Sequence, residues 1–343
     1  MKDREYEITK MQKIRDDNNI FISVVIPIFN EEENLPILTD RLLSSLSRYN
    51  RFEIIYVNDG SVDNSKKIIE QLCDQNGSVK LIDFSRNFGH QSALSAGIKY
   101  AAGDAVIIMD GDLQDPPEVL PQFVEKWKEG YDVVYAIRKD RKENILKKSA
   151  YYIFYRLLDK VSDIAIPLDS GDFSIMDKKI VNHLNLFSEK NKFIRGIRAW
   201  VGFKQIGLTY ERQSRLSGRS KYALTKLISL ALDGIISFSR KPLLISSHLG
   251  IIITIISFLG ILIVLYLKLF TSIFISGFAG IAILILFMGG IQLFLIGILG
   301  EYVGRVSDEV KNRPNFIVQS TKNLNIARTP ACEDRDESTF PKG

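Results

Sequence analysis

Ala105-Val106-Ile107-Ile108-Met109-Asp110-Gly111-Asp112-Leu113-Gln114-Asp115-Pro116-Pro117-Glu118 decides how the rest of the chain is read. Residues 105–109 are apolar and β-branched, the composition of a buried strand. The run ends by delivering two carboxylates at i and i+2 with a glycine between them. In extended chain such positions point the same way, so Asp110 and Asp112 are expected to converge just past the strand's carboxyl end. Gln114, one step further, adds a neutral oxygen. Three hard oxygen donors suit Mg²⁺ or Mn²⁺, which keep further positions for water and phosphate. Pro116-Pro117 stops the extended run, and Glu118 opens a helix. Most Asp-Gly-Asp triplets are acidic surface turns, so the flanks decide.

Upstream, residues 22–27, 52–57 and 79–84 are three further strand-like runs. Helical stretches at 35–49, at 64–75 and up to Ala102 separate them, with Glu31, Glu32 and Glu33 suited to the first turn of the first helix. Strands alternating with helices of this length imply an α/β domain whose parallel strands are joined by right-handed crossovers. Such a sheet holds its ligand at the carboxyl ends of its strands. Polar clusters sit at four of those ends: Phe29/Glu31, Asp59/Asp63, Arg86/Asn87 and Asp110/Asp112. A capping role accounts equally well for Asp63 or Asn87 alone. Gly-x-Gly-x-x-Gly and Gly-x-x-x-x-Gly-Lys-Ser/Thr are absent, which argues against dinucleotide and P-loop sites. Carboxylates with a divalent metal fit a nucleotide whose diphosphate is held through that metal.

Downstream, residues 132–137 form another strand, ending in Arg138-Lys139-Asp140-Arg141-Lys142, where Arg138 is the candidate phosphate ligand. The helix 146–162 has core-like aromatic spacing. Ser170-Gly171-Asp172-Phe173 reads as a tight turn carrying a carboxylate, and Arg195-Gly196-Ile197-Arg198-Ala199-Trp200 adds positive charge beside an aromatic. Arg215-Leu216-Ser217-Gly218-Arg219-Ser220-Lys221 has an anion-binding composition, and a basic juxtamembrane stretch would look the same. The two coincide if the anion is a lipid phosphate.

The chain has 343 residues, a net charge of +5 and 46% hydrophobic residues, and the apolar excess is concentrated after residue 240. Residues 222–238 have the spacing of an amphipathic interfacial helix. The runs 243–267 and 271–300 are each long enough to span a bilayer. Their Lys/Arg-rich flanks put both termini in the cytoplasm. Residues 1–19 are charged and lack the apolar core of a signal peptide, and Cys73 and Cys332 form no pairing or zinc pattern. The expected organisation is a polar lead-in (1–20), a catalytic α/β domain (21–221), an interfacial helix (222–242), a two-helix transmembrane hairpin (243–300) and a cytoplasmic tail (301–343), disordered from about residue 320. Gly300-x-x-x-Gly304 offers close helix approach, within the hairpin or in a homo-oligomer. Nothing suggests nucleic acid as a partner.

Val24-Val25-Ile26-Pro27-Ile28-Phe29-Asn30-Glu31-Glu32, Val57-Asn58-Asp59-Gly60-Ser61-Val62-Asp63, Arg86-Asn87-Phe88-Gly89 and the stretch 109–118 together resemble glycosyltransferase family 2. The arrangement is similar to its polyprenyl-phosphate branch, dolichol-phosphate mannose synthases and bactoprenol glucosyl transferases. The Gly171-Asp172-Phe173 segment, the run 195–202 and Ser237-Phe238-Ser239-x-x-Pro242-Leu243 are more like the latter. The resemblance implies a GT-A fold and transfer of a hexose with inversion from a nucleotide-diphosphate sugar, UDP-glucose by similarity, to a membrane polyprenyl phosphate. It implies Pro27, Phe29, Glu31, Asp59 and Asp110 at the nucleotide, and Asp110, Asp112 and Gln114 at a Mg²⁺ or Mn²⁺ ion. Asp112, Arg138 and Asp172 would serve catalysis, with Arg138 on the diphosphate, and Arg215, Ser220 and Lys221 would hold the acceptor phosphate. Two other readings stay open: a processive polysaccharide synthase, which needs more spans and a Gln-x-x-Arg-Trp motif, and a non-catalytic nucleotide-sugar-binding protein tethered to the membrane.

Overall fold

The computed structural model describes residues 20–139, 170–187, 189–190, 192–211 and 277–324, together with isolated positions between 243 and 270. Strands β1 (Phe21–Ile28), β2 (Arg51–Asn58), β3 (Val79–Phe84) and β4 (Ala105–Ile108) alternate with helices α1 (Leu35–Leu46), α2 (Ser65–Gln75) and α3 (His90–Tyr100). Then come α4 (Leu120–Lys128), β5 (Val133–Lys139), β6 (Ser170–Asp177), α5 (Lys178–Leu186), α6 (Ile194–Trp200), β7 (Gln205–Glu211), the long α7 (Phe278–Val310) and β8 (Val318–Lys322).

The strands form one sheet in the order β7-β5-β6-β4-β1-β2-β3-β8. Pairings β1–β2, β1–β4, β2–β3 and β5–β7 are parallel; β4–β6, β5–β6 and β3–β8 are antiparallel. The expected α/β fold with a mostly parallel, GT-A-like sheet is present. The chain winds outward from β1 through β2 to β3, then returns to lay β4 on β1's other side. The crevice between the β1 and β4 ends is therefore the topological switch point where such sheets hold ligands.

Both faces of the sheet are covered, so its strands are almost continuously apolar. On one face Ile22, Val24, Ile26 and Ile28 meet Leu35, Leu38, Leu42 and Leu46 of α1, with Phe123 and Trp127 of α4. On the other, Val25, Ile55 and Val57 meet Ala93, Leu94 and Ala96 of α3, with Ile180 and Ile197. The i, i+3, i+7, i+11 leucines of α1 are all fully buried, each contributing roughly 1.5–3 kcal/mol by burial.

Four sequence-based expectations need correction. Glu31, Glu32 and Glu33 lie before α1, not in its first turn; Glu31 and Glu32 bond to Asn34 and Asn64 instead. β4 stops at Ile108, so the bend beyond it, not strand alternation, orients Asp110 and Asp112. Ser170–Phe173 is the start of β6 rather than a turn, carried along β5 with Ser170 opposite Ile137 before β6 goes on to pair with β4 from Ser174. Residues 320–324 are ordered: β8 closes the β3 edge, and Asn323 Nδ2 donates to the Cys73 and Val79 carbonyls at 2.7 and 3.0 Å. Composition missed that because β8 satisfies a neighbour's backbone groups, which polar residues do as well as apolar ones.

Among the described residues one helix is long and apolar enough to cross a membrane: Phe287–Val310 of α7 has mean hydropathy 1.5 and none of it is buried. The expected first span lies mostly outside the described residues; its described positions are helical, and Phe258, Leu262 and Tyr266 among them are exposed. The helices expected at 146–162 and 222–238 also lie outside the described residues.

Candidate active site

The sheet's carboxyl edge gathers Pro27 near the end of β1, Phe29 and Glu31 after β1, Asp59 after β2, and Asp110, Asp112 and Gln114 after β4. β6 runs the other way, so its beginning reaches that edge. Ile108 pairs with Ser174; two residues past Ile108, beyond the end of β4, lies Asp110, and two residues before Ser174 in β6 lies Asp172. β5 is parallel to β4, and Arg138 near its end pairs with Tyr210 of β7; the Arg138 side chain lies outside the described residues. Arg215, Ser220 and Lys221 also lie outside them.

The loops after β1 and β2 are stitched together. Asn30, held at φ +56°, donates its N–H to Ser61 Oγ at 3.0 Å and accepts from the Val62 N–H at 2.9 Å. Glu31 and Glu32 donate theirs to Ser65 Oγ and Asp63 Oδ2. Asp63 lies one residue before the Asn64 N-cap of α2, and its other oxygen accepts from the Ser65 N–H at 3.0 Å. Asp59 is buried and accepts from the Phe88 N–H at 2.7 Å and the Gly89 N–H at 3.0 Å. Burial pushes its carboxyl up, against the pull of those two N–H groups. Gly60, at φ +67°, lies so close to this loop that a Cβ would come within 2.5 Å of the Arg86 and Asn87 backbone.

The bend after β4 is strained. Leu113 is fully buried at φ +60°, a conformation that costs a branched side chain about 1–3 kcal/mol. The Gln114 N–H donates to Asp112 Oδ1 at 3.2 Å. A Cβ on Gly111 would meet Ile28 Cδ1 at 2.6 Å, so glycine lets this bend lie against the end of β1. Asp115, also buried, accepts from the Tyr210 hydroxyl at 2.5 Å, which ties the bend to β7.

Around Asp172 the structure assembles charges whose roles the sequence did not reveal. His90 Nε2, at the first turn of α3, is 3.6 Å from Asp172 Oδ2 and 3.7 Å from Asp110 Oδ1. Arg195 Nε is 3.5 Å from Asp172 Oδ1. Gln91 reaches toward Asp172 at 3.4 Å through Nε2 and accepts the Ile194 N–H at 2.9 Å through Oε1, linking α3 to α6. Arg198, 2% exposed, lies over the Tyr135 ring. Burial pushes the Asp172 carboxyl up, but Arg195, then His90 and Arg198, hold it well below the usual carboxylate range. Burial pulls the His90 imidazole down; Asp172 and Asp110 override that and raise it to about 9. Burial likewise lowers the Arg198 guanidinium to about 10 despite Asp172.

Among the described residues, four buried side-chain polar atoms lack a hydrogen-bond partner, and three of them are here: Asp172 Oδ1, Arg195 Nε and Arg198 Nε. Unsatisfied buried groups are costly; Asp172 Oδ1 and Arg195 Nε face each other at 3.5 Å, and the concentration of such atoms here makes the cluster a candidate place for a polar ligand. Only the antiparallel insertion of β6 brings these residues together, and no local pattern announces it; Gly89-His90-Gln91 opening a helix beside the site was the available signal.

The sequence profile of "Glycosyl transferase family 2" matches residues 23–184. The chain is 46% identical over 312 residues to "Uncharacterized glycosyltransferase YkcC" of Bacillus subtilis, covering 90% of this chain and 97% of that one. It is 42% identical over 304 residues to the "SfII prophage-derived bactoprenol glucosyl transferase" of Shigella flexneri, covering 88% and 98%. Among solved structures it is similar, at a TM-score of 0.42 and 18% identity over 67% of this chain and 81% of that one, to glucosyl-3-phosphoglycerate synthase from Mycobacterium tuberculosis in complex with Mn²⁺, UDP and glucosyl-3-phosphoglycerate. Near-complete coverage at more than 40% identity makes this chain a member of glycosyltransferase family 2 and an enzyme that transfers a glycosyl group.

Proposed function

We propose that the protein transfers one hexose from a nucleotide-diphosphate sugar, UDP-glucose being the expected donor, to a polyprenyl phosphate at the cytoplasmic face of the membrane, with inversion. The observation that carries this reading is the underfilled charge cluster at the switch point: Asp172, Arg195, Arg198 and His90 beside Asp110. The naming of relatives at 42% identity as bactoprenol glucosyl transferases supports the lipid acceptor and the sugar. The exposed apolar surface of α7 supports a membrane anchor, and the two-span hairpin with cytoplasmic termini follows from the sequence.

Asp110, Asp112 and Gln114 fit a divalent cation: all offer hard oxygens, and the Asp110 side chain is 30% exposed, open to a ligand. Bound there, Mg²⁺ or Mn²⁺ would neutralise charge on the donor diphosphate. Pro27, Phe29, Glu31 and Asp59 would hold the nucleoside, and Arg138 the leaving phosphates. Arg215, Ser220 and Lys221 would hold the acceptor phosphate. An acceptor oxygen attacks the anomeric carbon opposite the leaving group, the carbon–oxygen bond to the diphosphate breaks, and its electron pair leaves with the nucleoside diphosphate. The acceptor is already an anion, so no proton has to be removed. Asp172, kept ionised by Arg195, His90 and Arg198, therefore acts as a fixed negative charge and hydrogen-bond acceptor beside the sugar, not as a base. Positioning two anionic substrates among cations supplies most of the rate.

The test is mass spectrometry of lipid products from membranes holding the full chain, incubated with a panel of nucleotide sugars with and without polyprenyl phosphate. One hexose on the lipid phosphate, dependent on divalent metal, is expected. Longer glycan chains would establish a processive synthase instead, and no lipid-linked sugar from any donor would refute the reading.

A further inference from the structure

The chain leaving α7 packs back against the catalytic domain at both sides of the crevice. On one side the Lys190 N–H donates to Glu309 Oε1 at 2.7 Å, Lys190 Nζ reaches Asn312 Oδ1 and the Arg313 carbonyl, and Asn315 Nδ2 donates to the Glu189 carbonyl. On the other, Phe316 stacks on Phe84, with centroids 5.2 Å apart and planes 8° from parallel. Phe84 in turn meets Phe88 edge-on at 5.7 Å. The Ser85 N–H donates to the Ile317 carbonyl at 3.1 Å. Ser320 Oγ donates to Asp83 Oδ2 at 3.2 Å, and Asp83 Oδ1 accepts from Asn58 Nδ2 at 2.7 Å. Farther along, the Lys322 and Asn323 side chains reach the second half of α2 and the start of β3, through Asp74 and the Glu70, Cys73 and Val79 carbonyls.

The loop 85–89 after β3 is the one whose Phe88 and Gly89 N–H groups hold the Asp59 carboxylate. Without β8, β3 would be an edge strand, and this loop would be held from the Asp59 side alone. We propose that the segment 315–320 is a brace that sets the donor-nucleotide pocket from behind: Phe316, through Phe84 and Phe88, and Ser320, through Asp83 and Asn58, fix the loops that present Asp59. This rests on the reading of Asp59 as a nucleotide contact given above. Phe316 and Ser320 are positioning residues. They join the chain just after α7 to the part of the site that presents Asp59.

A strand that merely adds stability would behave differently, and the two ends of the segment separate the cases. In the detergent-purified full chain, UDP binding with Mg²⁺ is measured by calorimetry, donor KM and kcat by turnover, and amide exchange at Phe88 and Gly89 by mass spectrometry. Phe316→Ala is expected to weaken UDP binding and raise donor KM by roughly three- to tenfold with kcat changed less than about twofold, the scale of one lost aromatic contact. Exchange at Phe88 and Gly89 should quicken, and Phe316→Tyr, which keeps the ring, should restore both. Asn323→Ala should lower the melting temperature and leave UDP affinity alone. Unchanged UDP binding and exchange in Phe316→Ala would overturn the brace, as would an equal loss of affinity in Asn323→Ala. Failure of the wild-type chain to bind UDP, GDP or ADP would instead remove the donor-site reading, and the brace with it.

Discussion

Replacing Asp172 by Asn keeps the shape of the side chain and removes its charge, which makes it the sharpest probe of the crevice. The carboxylate is 3.5 Å from Arg195 Nε and 12% exposed, so one such pair is worth roughly 5 kcal/mol at an effective permittivity of about 20. Part of that is offset, because a neutral amide escapes the several kcal/mol of desolvation a buried carboxylate suffers. What remains is Arg198 at 2% exposure facing Arg195 without an anion, and removing one partner of a buried pair costs about 3–5 kcal/mol. Taking the lower end, Asp172→Asn should lower the melting temperature by roughly 6–12 °C for a domain of about 200 residues. The chain's two tryptophans, Trp127 in α4 and Trp200 in α6, both belong to the catalytic domain, so thermal unfolding followed by tryptophan fluorescence reports that domain and not the membrane helices. Adding Arg198→Met should recover about 1–3 kcal/mol by removing the stranded cation. A melting temperature for Asp172→Asn equal to wild type, or a double variant no more stable than the single one, would refute this account of the cluster. Glycosyl transfer should fall on the order of a hundredfold in Asp172→Asn, as misplaced reacting groups do.

Asp112→Ala should abolish transfer, by a factor above roughly a hundred, while the protein stays folded and in the membrane by thermal shift and fractionation; chelation with EDTA should do the same to the wild type, and Mg²⁺ or Mn²⁺ should reverse it. Gly60→Ala, forced into φ +67° with its Cβ 2.5 Å from the Arg86 backbone, should cost about 3 kcal/mol and weaken UDP binding, measured by urea unfolding and calorimetry. His90, raised from 6.5 to about 9, adds stability that is complete below pH 6.5 and is lost as pH rises through 9. The metal-free protein should therefore melt lower at pH 9.5 than at pH 6.5, and His90→Gln should flatten that profile.

Much of the fold was legible because parallel strands covered on both faces are nearly continuous apolar runs, and β1, β2, β3 and β4 fell within a residue or two of where periodicity put them. Their polar ends then pointed to one edge. β6 was misread because Ser-Gly-Asp looks like a turn and nothing local states that a strand will run against its neighbours. The His90–Asp172–Arg195 grouping was hidden for the same reason: its members are 23 to 105 residues apart and meet only through sheet topology. β8 was invisible because an edge strand is chosen by the partner it completes, not by its own hydrophobicity.

β5 ends at Lys139 and β6 begins at Ser170, on adjacent strands where Ile137 pairs with Ser170, both at the ligand-binding edge. An excursion whose two ends are anchored a single strand spacing apart can change in length or composition without altering the register of β5 or β6. Residues 140–169 could thus be exchanged between relatives as a cassette, with the carboxylates at 110, 112 and 172 left where they stand.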